Sequence, residues 1–326
     1  MPVRAIANWL SELSVESRPI RRESRPEAAD LLRSARVLLT LRLYLALTKP
    51  RIVALITFTA LVGELLAGPT IAWRRPVLWG TLGIALCSAC AAVLNQVFER
   101  RLDASMPRTR RRPLAAGLLT RGNALLFAGA LGVTGSAILT WLVNPLTAIL
   151  TVASLIGYGV VYTVWLKPAT SQNIVIGGIA GAAPPVLGWA AVTGAIVPQA
   201  LLLFLIVLLW TPPHFWSLAI ARRNEYARTG IPMLPVTRGV AHTQGQILLY
   251  TVLLTLATLL PFLIHMSGFI YLIAALILDA VFVSHALRLK ASKSDSQAMR
   301  TFRFSVKYLM WLFAALLADH YLAFAW

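Results

Sequence analysis

The amino-acid sequence predicts an all-α, polytopic membrane protein, a bundle of about nine transmembrane helices. Three observations predict it. Of the 326 residues 58% are hydrophobic and 13% charged, and a mean hydropathy of +0.73 belongs to a chain solvated largely by lipid. Apolar runs of about 18 residues or more, enough to cross a hydrocarbon core, fall at roughly 51–68, 76–98, 123–143, 146–166, 173–193, 199–221, 245–264, 267–287 and 304–324. The charges then orient these runs. Of the 30 Lys and Arg, all but Arg74 and Arg75 fall on one side when nine helices alternate from an inside N-terminus. The connections on the other side, near 144–145, 194–198 and 264–268, are short and uncharged. The positive-inside bias puts the N-terminus and the basic loops in the cytoplasm and the C-terminus outside, in a multi-pass protein of the cell inner membrane. A net charge of +18 thus reports topology and contact with the lipid bilayer, with no nucleic acid needed to explain it.

Residues 1–45 differ in kind. They mix charges of both signs with Ser and Pro and contain no apolar h-region, so they are not a cleavable signal peptide. Glu12, Glu16, Glu23, Glu27 and Asp30 argue against a mitochondrial transit sequence. The segment reads as a cytosolic N-terminal extension, solvated and disordered or lying on the surface, ahead of a transmembrane domain at 46–326. The first span opens with Thr48-Lys49-Pro50-Arg51, where Pro50 suits the first helical turn. Lys49 and Arg51 stand at the cytosolic rim, within reach of either a phosphate or lipid headgroups. Cys87 and Cys90 lie mid-span among Ser88, Ala89, Ala91 and Ala92, small residues that let helices approach closely, and read as packing groups.

The end of the second span, Asn95 to Leu114, reads NQVFERRLDASMPRTRRRPL, and the rest of the chain is organised around it. Asn95, Glu99 and Asp103 recur every four residues. At ~100° per residue they share one helical face, drifting only ~40° per step. Three oxygen-bearing side chains at a membrane edge suit Mg²⁺, which takes one or two carboxylates and fills its other positions with water and phosphate oxygens. Arg108, Arg110, Arg111 and Arg112 follow at once, guanidinium forks that match phosphate geometry. Carboxylate and Mg²⁺ on one side and arginine on the other make a clamp for a diphosphate.

The fourth span ends at Tyr158…Tyr162-Thr163-Val164-Trp165-Leu166-Lys167, ordinary interfacial aromatics plus the one cation of its loop, an additional diphosphate ligand. The fifth holds Gly177, Gly178, Gly181, Pro184, Pro185 and Gly188. Gly177 and Gly181 have the spacing of a helix contact. Pro184-Pro185 breaks the hydrogen-bond ladder, and broken helices at membrane depth line cavities. In the sixth span, Trp210-Thr211-Pro212-Pro213-His214-Phe215-Trp216 interrupts an apolar run. A histidine placed there, after two prolines and among aromatics, points to a pocket for a large flat ligand. Glu225 follows, beside Arg222 and Arg223, so the loops after spans two and six each carry acid next to arginine and face the same side. That is a weak internal duplication with two half-sites. Asp279, His285, Asp319 and His320 carry no role beyond helix–helix hydrogen bonds.

The stretch N-x-x-x-E-x-x-x-D-x-x-M-x-R-T-x-x-R-P-L resembles the first aspartate-rich motif of the UbiA superfamily of intramembrane prenyltransferases. YTVWLK, NIVIGGIAGAAPPVLGW, TPPHFW and GIPMLPV resemble the branch of that superfamily that farnesylates heme. The likeness runs from about Leu47 to the last helix. It implies nine helices around a central cavity open to the cytosol and to lipid. It implies transfer of a farnesyl group from farnesyl diphosphate to a vinyl group of heme b, with addition of water, giving heme O for terminal oxidases. Asn95, Glu99, Asp103 and Glu225 would be catalytic and hold Mg²⁺, while Lys49, Arg108, Arg112 and Lys167 would hold the diphosphate. His214, Trp210, Phe215 and Trp216 would form the heme pocket. Partners would be a heme A synthase or terminal-oxidase assembly factors. Two departures stand out: Glu99 and Glu225 replace the usual aspartate, and Thr229 sits where the second motif has a further carboxylate.

Two other readings compete. Prenylation of an aromatic acid or quinone precursor shares the clamp but gives no reason for His214. A transporter would gather its charges near the midplane, with access from both faces, whereas these gather on one rim.

Overall fold

The computed structural model describes residues 26–68, 75–292 and 294–323. The chain divides into two units, Met1–Arg42 and Leu43–Trp326. The first enters the described part as a helix, α1, Pro26–Leu47, which continues into the second unit. The helix thus begins within the expected N-terminal extension, at Pro26. Residues 1–25 and Arg74 lie outside the described residues.

In the second unit every regular element among the described residues is helical: α2 (Pro50–Leu66), α3 (Arg75–Phe98), α4 (Arg121–Ile138), α5 (Pro145–Ile156), α6 (Asn173–Ala182), α7 (Pro184–Thr193), α8 (Pro198–Ala221), α9 (Val240–Leu263), α10 (Phe269–Ala291) and α11 (Asp295–Ala323). Among the described residues eight stretches are long and apolar enough to cross a membrane alone, and α2 brings the number to nine when joined to the helix before it. With the π-helical segments Leu139–Val143 and Gly157–Leu166 that continue α4 and α5, the apolar runs read from sequence match the helices to within about five residues, except that α11 starts earlier, at Asp295. The helices pack in a closed circuit. α3 lies between α2 and α4, α8 packs on α6, α9 and α11, α10 joins α9 to α11, and α11 returns to α2.

The two proline pairs behave differently. The fifth span breaks at Ala183 and restarts with Pro184-Pro185 in the first turn of α7, where a missing N–H costs nothing. α8 instead runs through Pro212-Pro213 without a break. Near that pair, hydroxyls bond to backbone carbonyls, Thr211 Oγ1 to Val207 O at 2.8 Å and Ser217 Oγ to Pro213 O at 2.6 Å.

Glycine positions the broken span. A Cβ on Gly188 would stand 1.9 Å from Ala60 O, and one on Gly63 2.2 Å from Pro185 O, so α2 and α7 touch backbone to backbone. The expected Gly177–Gly181 contact is only half present. Gly177 lies under the Tyr162 ring, while a Cβ on Gly181 would meet nothing. Cys87 and Cys90 are free and buried, set against Gly135 and Gly132 of α4.

The acids of the last spans do join helices. Asp279 accepts from Tyr308 at 2.5 Å and Thr258 at 2.7 Å, linking α9, α10 and α11. Asp319 accepts from the backbone N–H groups of Gly268 and Tyr271, capping α10 from another helix. His320 Nε2 meets Gly68 O at 3.1 Å.

Candidate active site

The oxygen face of Asn95–Asp103 is real. α3 ends at Phe98 and a short helix, Arg100–Ser105, follows, yet the backbone ladder crosses the join: Glu99 N donates to Asn95 O at 3.0 Å and Asp103 N to Glu99 O at 2.8 Å. All three side chains point inward, with exposures of 2% for Asn95, 8% for Glu99 and 3% for Asp103. Buried carboxylates need partners, and each finds a cation from a different part of the chain. Arg112 Nη1 donates to both oxygens of Asp103, at 2.9 and 2.8 Å. Lys167 pairs with Glu99, and Lys49 donates to Asn95 Oδ1. These are three of the four residues expected to hold the diphosphate.

Each cation is itself positioned. Lys49 sits just ahead of α2 in the left-handed region, φ 52° and ψ 60°, a conformation that a non-glycine residue holds at a cost and that concentrates at functional sites. Burial, then the positive charges of Arg112 and Lys167, pull its ammonium down to about 7, against Glu99 and Asp103, which push it up. Lys167 follows a π-helical segment, Gly157–Leu166, and Asn173 Nδ2 donates to its carbonyl at 3.1 Å. The Arg112 loop folds back through Thr109, whose hydroxyl donates to Asp103 O at 3.0 Å.

The π segment also fixes Asn95. Thr163 Oγ1 donates to Tyr158 O, five residues back, at 2.8 Å, and accepts from Asn95 Nδ2 at 3.0 Å. With its one proton spent on the carbonyl, the threonine can only accept from the amide, so Asn95 Oδ1 faces the cations. Thr163 and Asn173 belong to the site, and their neighbourhood had read as interfacial anchoring. Tyr158 and Tyr162 stack at 5.6 Å. Only the position of Thr163, four residues before Lys167, could have flagged it.

The second half-site is looser. Glu225 accepts from Arg222, three residues away, at 2.9 Å, while Arg223 pairs with Asp295. Tyr226 connects the halves. Burial raises its phenol, Arg108 opposes that, and Glu99 and then Glu225 add to it. Arg108 is exposed.

Of the four residues expected around a flat ligand, three come together. His214 is buried and stacks between Trp210, at 4.3 Å, and Phe302, at 4.7 Å, with Phe215 edge-on at 4.8 Å. Trp216 turns away to meet Tyr250 at 5.4 Å. His214 Nδ1 lies 2.7 Å from Ser305 Oγ, which spends its proton on Phe302 O at 2.7 Å. Nδ1 is therefore the donor and Nε2 carries the lone pair. Ser305, 91 residues away, and Phe302 left no trace in the sequence around His214.

The donor set fits a hard divalent cation. Among the described residues no group of three or more His, Cys, Asp or Glu gathers as a metal cluster. Two carboxylates and an amide oxygen on one face leave coordination positions for water and phosphate, which is how Mg²⁺ is held.

Residues 56–315 match the UbiA prenyltransferase family. The chain is 57% identical over 281 residues to the protoheme IX farnesyltransferase of Nitrosococcus oceani, covering 86% of this chain and 94% of that protein. Its fold is similar to that of a digeranylgeranylglyceryl phosphate synthase, with a TM-score of 0.73 at 20% identity over 86% of this chain and 98% of the other. It is also similar to a UbiA homolog from Archaeoglobus fulgidus bound to GPP and Mg²⁺, with a TM-score of 0.56 at 17% identity over 84% and 99%.

Proposed function

The chain belongs to the UbiA prenyltransferase family, and we propose that it transfers the farnesyl group of farnesyl diphosphate to a vinyl group of heme b, water adding to give heme O. The observation that carries this is the buried row Asn95–Glu99–Asp103, each answered by a cation brought from elsewhere in the chain. The name of the Nitrosococcus relative supplies the acceptor. We place the basic loops, and with them the site, at the cytoplasmic face of a bacterial inner membrane.

The residues divide the work by charge. Asn95, Glu99 and Asp103 would hold Mg²⁺, with Glu225 the acidic member of the second half-site. When bound, the ion would neutralise charge on the departing diphosphate as a Lewis acid. Lys167 and Arg112 now occupy Glu99 and Asp103, and Lys49 the amide oxygen of Asn95. With diphosphate in place they turn to its oxygens, joined by Arg108, so no charge in the site is left uncompensated at either stage. The allylic C–O bond breaks, with its electron pair going to the diphosphate, which these cations stabilise as charge develops. The vinyl group attacks the farnesyl carbon, leaving a cation beside the porphyrin; water adds there and a proton is released. Tyr158 and Tyr162 present π faces beside the site that steady a cation and exclude water.

His214 serves the acceptor. Its two faces are covered by Trp210 and Phe302, so it meets heme only at its edge, through Nε2. Pigment extraction from membranes expressing the chain tests the reading: heme O is expected, and a prenylated quinone precursor in its place would overturn it. Titration with heme b tests the pocket. His214→Ala should weaken heme binding and leave farnesyl diphosphate binding intact; a shifted Soret band marks iron ligation, and an unshifted one a hydrogen bond. Identical affinity and spectrum would remove His214 from the pocket.

A further inference from the structure

Outside this site, the same end of the bundle carries a second concentration of charge with no acid in it. A cleft of about 260 Å³ opens between α10 and α11, lined by His285, Arg300, Arg303, Phe304 and Lys307. Arg300, Arg303 and Lys307 stand at i, i+3 and i+7, one stripe of α11. All three are exposed. Among the described residues no carboxylate pairs with any of them; Asp295, the acid of that helix end, is taken by Arg223. The floor is flat and apolar, with the His285 ring stacked on Phe304 at 4.8 Å and 17°. Deeper along the same helix faces stand exposed apolar side chains: Val281, one turn from His285, is 38% exposed and Trp311, one turn past Lys307, 65%.

We propose that this cleft binds the headgroup of an anionic phospholipid, its phosphate held by Arg300, Arg303 and Lys307 and its acyl chains lying along Val281 and Trp311. Charge complementarity selects an anion, since cations at a membrane rim attract acidic lipid and guanidinium forks match phosphate oxygens. The change from basic to apolar side chains with depth selects a lipid over a soluble phosphate. The volume is below the ~300–1,000 Å³ of a pocket enclosing a drug-sized ligand, which suits a headgroup better than a porphyrin. The cleft lies on the far side of α11 from the His214 contact, because Phe302 and Ser305 face α8 while Phe304 faces His285.

Native mass spectrometry of the delipidated full chain tests this, with phosphatidylglycerol or phosphatidylcholine of matched acyl chains added. The expected result is one phosphatidylglycerol held at least tenfold more tightly than phosphatidylcholine. The R300Q/R303Q/K307Q variant should weaken that binding on the order of a hundredfold, as loss of three interfacial cations predicts. In the wild type, raising salt should erase the preference, a readout that needs no variant to fold. Equal binding of the two lipids, a variant that keeps the preference, or a preference indifferent to salt would each overturn the proposal. So would displacement of phosphatidylglycerol by millimolar inorganic phosphate. A variant that loses heme b affinity while keeping the lipid would overturn it too, by assigning the cleft to heme carboxylates.

Discussion

The two acidic half-sites look alike in sequence and are built differently. In the first, three oxygen-bearing residues are buried, and their cations come from 46, 68 and 9 residues away. In the second, a half-buried Glu225 holds its own neighbour Arg222, whose side chain is 41% exposed. A buried pair broken from one side costs about 3–5 kcal/mol, because a charge is left uncompensated; a local helical pair is worth about 0.2–0.5 kcal/mol. The first half-site is therefore preassembled and coupled to the fold, while the second is an acid that can change partners cheaply.

The largest expected effect breaks the comparison directly. Asp103→Ala should lower heme O formation by at least a hundredfold, the scale of losing one preorganised electrostatic group, and Glu225→Ala by clearly less; equal losses would mean the halves are equivalent. Next, Arg112→Ala should weaken farnesyl diphosphate binding by about 1.5–3 kcal/mol, the value of a charge-assisted hydrogen bond, with heme affinity unchanged. Parallel losses for both substrates would make the Arg112 loop structural. Thr163→Val should cost about 1 kcal/mol in diphosphate or Mg²⁺ binding by freeing the Asn95 amide, and Thr163→Ser should restore it. The smallest effect belongs to Arg222→Ala, which should leave the thermal midpoint within the shift of about 0.5 kcal/mol expected for an exposed pair; a larger drop would make the second half-site as coupled as the first.

Much of this was legible in the sequence. A four-residue spacing needs only helical geometry, so Asn95, Glu99 and Asp103 announced their common face, and hydropathy with charge drew the spans. What stayed hidden were partners chosen across the fold. Lys167 read as a phosphate ligand, but nothing local says that it pairs with Glu99 first. Ser305 is an ordinary serine in an apolar helix until it sets the tautomer of His214. Gly181 read as a helix contact because spacing records which residues share a face, while the neighbour on that face is decided elsewhere. The two Pro-Pro pairs are the same local signal, yet one breaks its helix and the other does not.

The π-helical segment Gly157–Leu166 has one more consequence. A widened turn is in effect an inserted residue that the helix has absorbed, so everything after it is read in a shifted frame. Deleting a single residue there would shorten the span by only ~1.5 Å and turn Lys167 by ~100° away from Glu99, with composition and hydropathy almost untouched. For this chain the count of residues between Tyr158 and Lys167 is as much an inherited specification as their identity, and two relatives could share every motif yet differ in chemistry by one insertion.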